Sequence, residues 1–77
     1  KLVVQEPEIY PNPTSDIIFV KIYESEEFVN IYDLTGRLVL NQKVYNEISK
    51  VNLGDLTEGV YFIHFINSGK TKKLIKK

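Results

Sequence analysis

Seventy-seven residues, ten basic and ten acidic, with 43% hydrophobic and 12% aromatic content, describe one small packed domain and not a disordered segment. The absence of cysteine excludes a disulfide framework and a thiolate metal site. No apolar run approaches the ~20 residues that span a bilayer, and the start at Lys1 reads as a piece cut from a longer protein.

The first segment, Lys1 to Glu8, reads as linker or as a first edge strand. Tyr10-Pro11-Asn12-Pro13 follows, and its prolines forbid both a helix and a central strand because each lacks a backbone N–H and fixes φ. The stretch is expected to be stiff and extended. Asp16 to Ile22 is then rich in β-branched residues, with Ile18, Val20 and Ile22 on one face. A polar turn, Glu24-Ser25-Glu26-Glu27, is expected to close it. Phe28 to Tyr32 makes a second strand with Val29 and Ile31 together, and Asp33-Leu34-Thr35-Gly36 turns it back into Arg37 to Val44. Residues 48 to 53 alternate again, with Val51 and Leu53 facing together. Gly59 to Ile66 is the strongest strand, and Gly69 separates it from a final lysine-rich strand. No helical period appears.

Leu56-Thr57-Glu58-Gly59-Val60-Tyr61 has the form of a tyrosine corner, in which a ring tucks under the arch between two sheets and its hydroxyl bonds an upstream backbone group. With the strand spacing, this predicts an all-β, immunoglobulin-like β-sandwich of about six to seven short antiparallel strands. Tyr61, Ile63 and Phe65 are expected inside. Val60, Phe62, His64 and Ile66 then form a second face too apolar for ordinary solvent surface, which calls for a covering segment or a partner.

Little in the chain supports catalysis. His64 is the lone histidine, and no spacing joins it with Ser49 or Ser68 into a nucleophilic constellation. Asp16, Asp33, Asp55 and Glu58 sit near predicted turns, where capping explains them better than calcium. Tyr10, Tyr23, Tyr32 and Tyr45 read as core or cross-strand partners ahead of sugar- or base-stacking groups. No catalytic, cofactor or metal residue is assigned, and no nucleic-acid partner or transmembrane segment is expected. Lys70, Lys72, Lys73, Lys76 and Lys77 crowd the end, either to keep an edge strand soluble or to meet an acidic surface.

Tyr10-Pro11-Asn12-Pro13-Thr14, Val29 to Arg37, Leu56 to Ile63 and Lys72-Lys73-Leu74-Ile75-Lys76 occur in an order and spacing that resembles the type A C-terminal sorting domain of the type IX (Por) secretion system of Bacteroidetes. The resemblance covers residues 9 to 77, with 1 to 8 left to the upstream cargo. Its one departure is Glu58, where small residues or proline are common. By this resemblance Pro11, Asn12, Pro13, Gly36, Gly59, Tyr61, Lys72, Lys73, Leu74, Ile75 and Lys76 are the sorting-motif residues. It implies a domain fused behind a secreted cargo, recognised by the type IX outer-membrane translocon and then removed by a sortase-like peptidase cutting in or before Lys1 to Glu8. The destination is the cell surface or the medium, by way of the periplasm. On that view the two prolines hold the junction extended and open to the peptidase, while the exposed last strand offers an edge for pairing. The alternative is a non-catalytic immunoglobulin-like adhesion or carbohydrate-binding module.

Overall fold

Among the described residues, 6–77, the chain forms seven strands in two antiparallel sheets, seen in a computed structural model. The strands are β1 (Glu8–Tyr10), β2 (Ile17–Lys21), β3 (Glu26–Tyr32), β4 (Leu38–Tyr45), β5 (Ile48–Asn52), β6 (Gly59–Phe65) and β7 (Thr71–Lys76). One sheet has the order β1-β2-β5, the other β4-β3-β6-β7. The chain crosses between the sheets after β2, after β4 and after β5. This is the sandwich that the sequence predicts.

Period-two alternation sets which side chains meet between the layers. Ile18 and Val20 come from the first sheet's central strand, Ile22 from just past its end, and Val51 and Leu53 from β5 and its end. Val29, Ile31, Val44, Tyr61, Ile63, Phe65 and Leu74 oppose them from the other sheet. Each full burial of such a side chain stabilises by roughly 1.5–3 kcal/mol. A slip of one residue in any strand would turn its apolar set outward, so the register is firmly specified. The β3–β4 ladder shifts by one residue at Ile31/Tyr32, where Ile31 faces Leu40 but Tyr32 faces Leu38.

Two of the turns expected from sequence have the expected chemistry. Asp33 Oδ1 accepts from the Thr35 hydroxyl (2.6 Å), the Thr35 amide (2.9 Å) and the Arg37 amide (3.1 Å). Gly36 supplies a φ of 87°, a conformation a Cβ would oppose. At the corner before β6, the Tyr61 hydroxyl donates to the Thr57 carbonyl at 2.6 Å, and the ring is 5% exposed. The buried hydroxyl therefore has its partner.

One assignment from sequence is overturned. Glu26 and Glu27 belong to β3, not to an acidic turn, and Glu27 is 1% exposed. Its carboxylate accepts from the backbone amides of Asn67 (2.7 Å), Ser68 (3.2 Å) and Phe28 (3.1 Å). A buried charge is tolerated because these donors replace water, and it closes the β6–β7 turn from within. Sequence reasoning took Glu27 for a solvated residue because three acids within four positions resemble a loop.

Candidate recognition surface

β7 lies at the edge of the four-stranded sheet, paired with β6 from Gly59↔Lys76 to His64↔Thr71. Its lysines do not form one cationic face. Leu74 is buried, and Lys76 beside it is only 8% exposed, its stem lying along the apolar interior. Lys73 and Ile75 point to the outer side of the sheet, and Lys70 approaches Glu6 at 3.8 Å. The basic cluster of the sequence is thus spread over two faces and a turn.

The expected free edge on β7 is also overturned between Lys73 and Lys77. Asn12 Nδ2 donates to the Lys73 carbonyl at 2.8 Å, and the Ile75 backbone amide donates to Asn12 Oδ1 at 3.0 Å. Thr14 continues the contact as a parallel bridge: its amide donates to the Ile75 carbonyl at 2.9 Å, and its carbonyl accepts from the Lys77 amide at 2.8 Å. Pro11-Asn12-Pro13 is therefore no open linker. It joins β1 to β2 within one sheet and on the way passes alongside β7 of the other, where the Asn12 side chain does what a proline-flanked backbone cannot. A bare asparagine between two prolines was the available signal, since only side-chain groups remain to bond an edge there.

The opposite flank is closed in a similar way. Gln42 Nε2 donates to the Lys50 carbonyl at 3.0 Å, and Ser49 Oγ both accepts from the Tyr45 amide (2.8 Å) and donates to the Tyr45 carbonyl (3.2 Å). Side chains thus bridge the two sheets on both sides, which protects strand edges from adventitious pairing.

Motif residues gather around β7 in two shallow grooves. One, of about 440 Å³, is lined by Glu8, Ile9, Asn12, Lys72 and Lys73. The other, of about 360 Å³, is lined by Glu58, Gly59, Val60, Ile75, Lys76 and Lys77. Tyr61 and Leu74 lie beneath them in the core, while Gly36 stays in the β3–β4 turn.

The outer face of the four-stranded sheet is left uncovered by the described residues. Phe28 (42%), Tyr45 (53%), Phe62 (37%) and Ile66 (44%) are exposed there, and Val60 and His64 are half-buried. Lys43 lies within 5.6 Å of the Phe28 ring centre and 5.5 Å of Tyr45's. Bonding to the Glu26 carboxylate, and that carboxylate's charge, raise the Lys43 pKa. Across the middle run Asn41, Asn30 and Tyr32, joined by side-chain hydrogen bonds. The tyrosines are not a single platform: Tyr10 stacks on Phe19 on the other sheet at 5.8 Å, and Tyr23 donates to Glu8 Oε2 at 2.7 Å. That bond raises the Tyr23 pKa.

His64 Nδ1 pairs with the Thr71 hydroxyl at 2.8 Å, while Ser49 bonds Tyr45 and Ser68 Oγ accepts from the Lys70 amide at 3.5 Å. The three do not assemble. Asp16, Asp33, Asp55 and Glu58 do not converge either, and among the described residues no three His, Asp or Glu side chains gather around a metal position.

Comparison with curated proteins returns no match. The family model described as "Secretion system C-terminal sorting domain" matches residues 8–77, nearly the whole chain and every strand among the described residues. The seven-stranded sandwich, its tyrosine corner and the motifs around β7 all fall within that match, and the chain belongs to the secretion-system C-terminal sorting domain family, that of type IX secretion.

Proposed function

We propose that this domain is the export address of a protein fused to its N-terminal side. The type IX outer-membrane translocon recognises the folded sandwich, and the cargo reaches the cell surface or the medium through the periplasm and outer membrane. A sortase-like peptidase then cuts in or before Lys1 to Glu8. The observation that carries this reading is the family match over residues 8–77. The geometry gives recognition a physical form. With the edge of β7 closed from Lys73 to Lys77, a receptor reads side chains and grooves, not an open ladder. Lys72 and Lys73 beside the Asn12 groove add attraction toward an acidic receptor, which speeds encounter more than it tightens the complex.

A reporter carrying a signal peptide and this domain tests the proposal in a host that has the system. The intact fusion reaches the surface or medium, and deletion of residues 72–77 leaves it in the periplasm. Because the deletion also removes Leu74 from the core, Lys72→Glu/Lys73→Glu is the companion variant that keeps the core. Equal export of the truncated and intact fusions would refute the reading.

A further inference from the structure

Residues 11 to 13 own one backbone N–H among them, that of Asn12, so no regular ladder can join this stretch to β7. The Asn12 carboxamide supplies both halves of a ladder step, one donor and one acceptor, to residues more than sixty positions away. Upstream, β1 is three residues long and pairs only with β2, Glu8–Tyr10 against Phe19–Lys21. Such a short terminal strand frays readily unless something holds its far end. That hold is β7, through Asn12.

We infer that Asn12 is a clasp that makes proteolytic access to the segment around Glu8 depend on the seating of β7. While β7 is in place, residues 8 to 12 stay paired and the peptide bonds beside Glu8 cannot adopt the free extended form a peptidase binds. When a partner draws the outer edge of β7 away from Asn12, the clasp opens and β1 is released. Thr14 is held twice over, by its backbone bonds to Ile75 and Lys77 at the end of β7 and by its hydroxyl donating to the Ile17 carbonyl at 2.6 Å, so an opening confined to the Asn12 contact stops there and β2 stays seated. Cleavage ahead of the domain would then follow engagement of its last strand instead of preceding it. That use rests on the sorting reading; the clasp itself is a property of the chain alone.

The test is digestion of the 77-residue chain by a glutamate-specific endopeptidase, with the initial rates of cutting after Glu8 and after Glu27 followed by mass spectrometry. Cutting after Glu27, buried within β3, reports opening of the whole domain. Asn12→Ala is expected to raise the Glu8 rate about tenfold, and Asn12→Asp, which keeps the acceptor for Ile75 but loses the donor to Lys73, by less. Val29→Ala weakens the core away from the clasp; it should raise the Glu27 rate and leave the Glu8 rate within about twofold. An unchanged Glu8 rate in Asn12→Ala overturns the inference. So does a Glu8 rate that climbs with the Glu27 rate in Val29→Ala, because the segment would then open only with the entire fold. Neither result bears on export of the fusion.

Discussion

Replacing Glu27 with alanine tests the account of the buried carboxylate most severely. The side chain holds three backbone amides, at 2.7, 3.1 and 3.2 Å, and two of them belong to the turn that delivers β7. Hydrogen bonds to a charged acceptor contribute about 1.5–3 kcal/mol each, but these share one carboxylate, and the Phe28 bond is local. Removing the acceptor also leaves the Asn67 and Ser68 amides short of partners in a part-buried site. A loss of about 3–5 kcal/mol follows, against a total of roughly 4–12 kcal/mol for a domain this size. Urea unfolding followed by circular dichroism reads it directly: with a slope near ~1 kcal/mol per molar urea, the midpoint falls by about 3 M or more. Glu27→Gln keeps one acceptor and sets its NH2 against an amide donor, so it should cost about half as much. A Glu27→Ala midpoint within about 0.5 M of wild type would refute the reasoning, since the turn would then be held without its carboxylate.

Tyr61→Phe keeps the buried ring and deletes the 2.6 Å bond to the Thr57 carbonyl together with the 3.4 Å contact to the Thr57 hydroxyl, so it should lower stability by about 1 kcal/mol with an unchanged urea slope. Gly59→Ala meets no atom within 4 Å, so its cost is backbone alone: at φ 154° it should lower the melting temperature by about 4–8 °C, and an unchanged melt would remove conformation as the reason for glycine there. Asp33 titrates below its ordinary 3.8, chiefly because the Thr35 hydroxyl and then the Arg37 amide bond the ionised form. A depressed folded value means its contribution is complete above the unfolded value and lost as pH falls through the folded one. Melting temperature should therefore decline below about pH 4 in wild type and less steeply in Asp33→Asn; parallel curves would exclude Asp33 from the decline.

Strands and core were legible because alternation is a local signal: Ile18/Val20/Ile22, Val29/Ile31 and Tyr61/Ile63/Phe65 state their buried faces by spacing alone. The corner was legible because its glycine and tyrosine lie within three residues. What escaped detection was non-local. Glu27 is defined by amides forty positions downstream, and Asn12 by carbonyl and amide groups more than sixty away. Lys76 read as a surface charge because its stem's burial depends on Thr14 lying alongside. Composition makes both acid and lysine look solvated, and only the closed sandwich turns them inward.

The family motif is better understood as a recipe for this closed shape than as a list of receptor contacts. Gly36 serves a positive φ, Tyr61 the corner, Leu74 the core, and Asn12 the contact between the β1–β2 connection and β7. Of the eleven residues expected to form the motif, those with side chains exposed to a partner are Pro11, Asn12, Pro13 and Lys73, with Lys72 and Ile75 half-buried beside the two grooves that flank β7. On the proposed reading the signal is the folded shape, because its tail is in place only when the sandwich has folded around Leu74. Surface substitutions at Lys72 and Lys73 should then alter export without altering the melt, whereas substitutions at Asn12, Tyr61 or Leu74 should move both together. If Leu74→Ala unfolded the domain yet left export intact, the signal would be the linear sequence and not the shape.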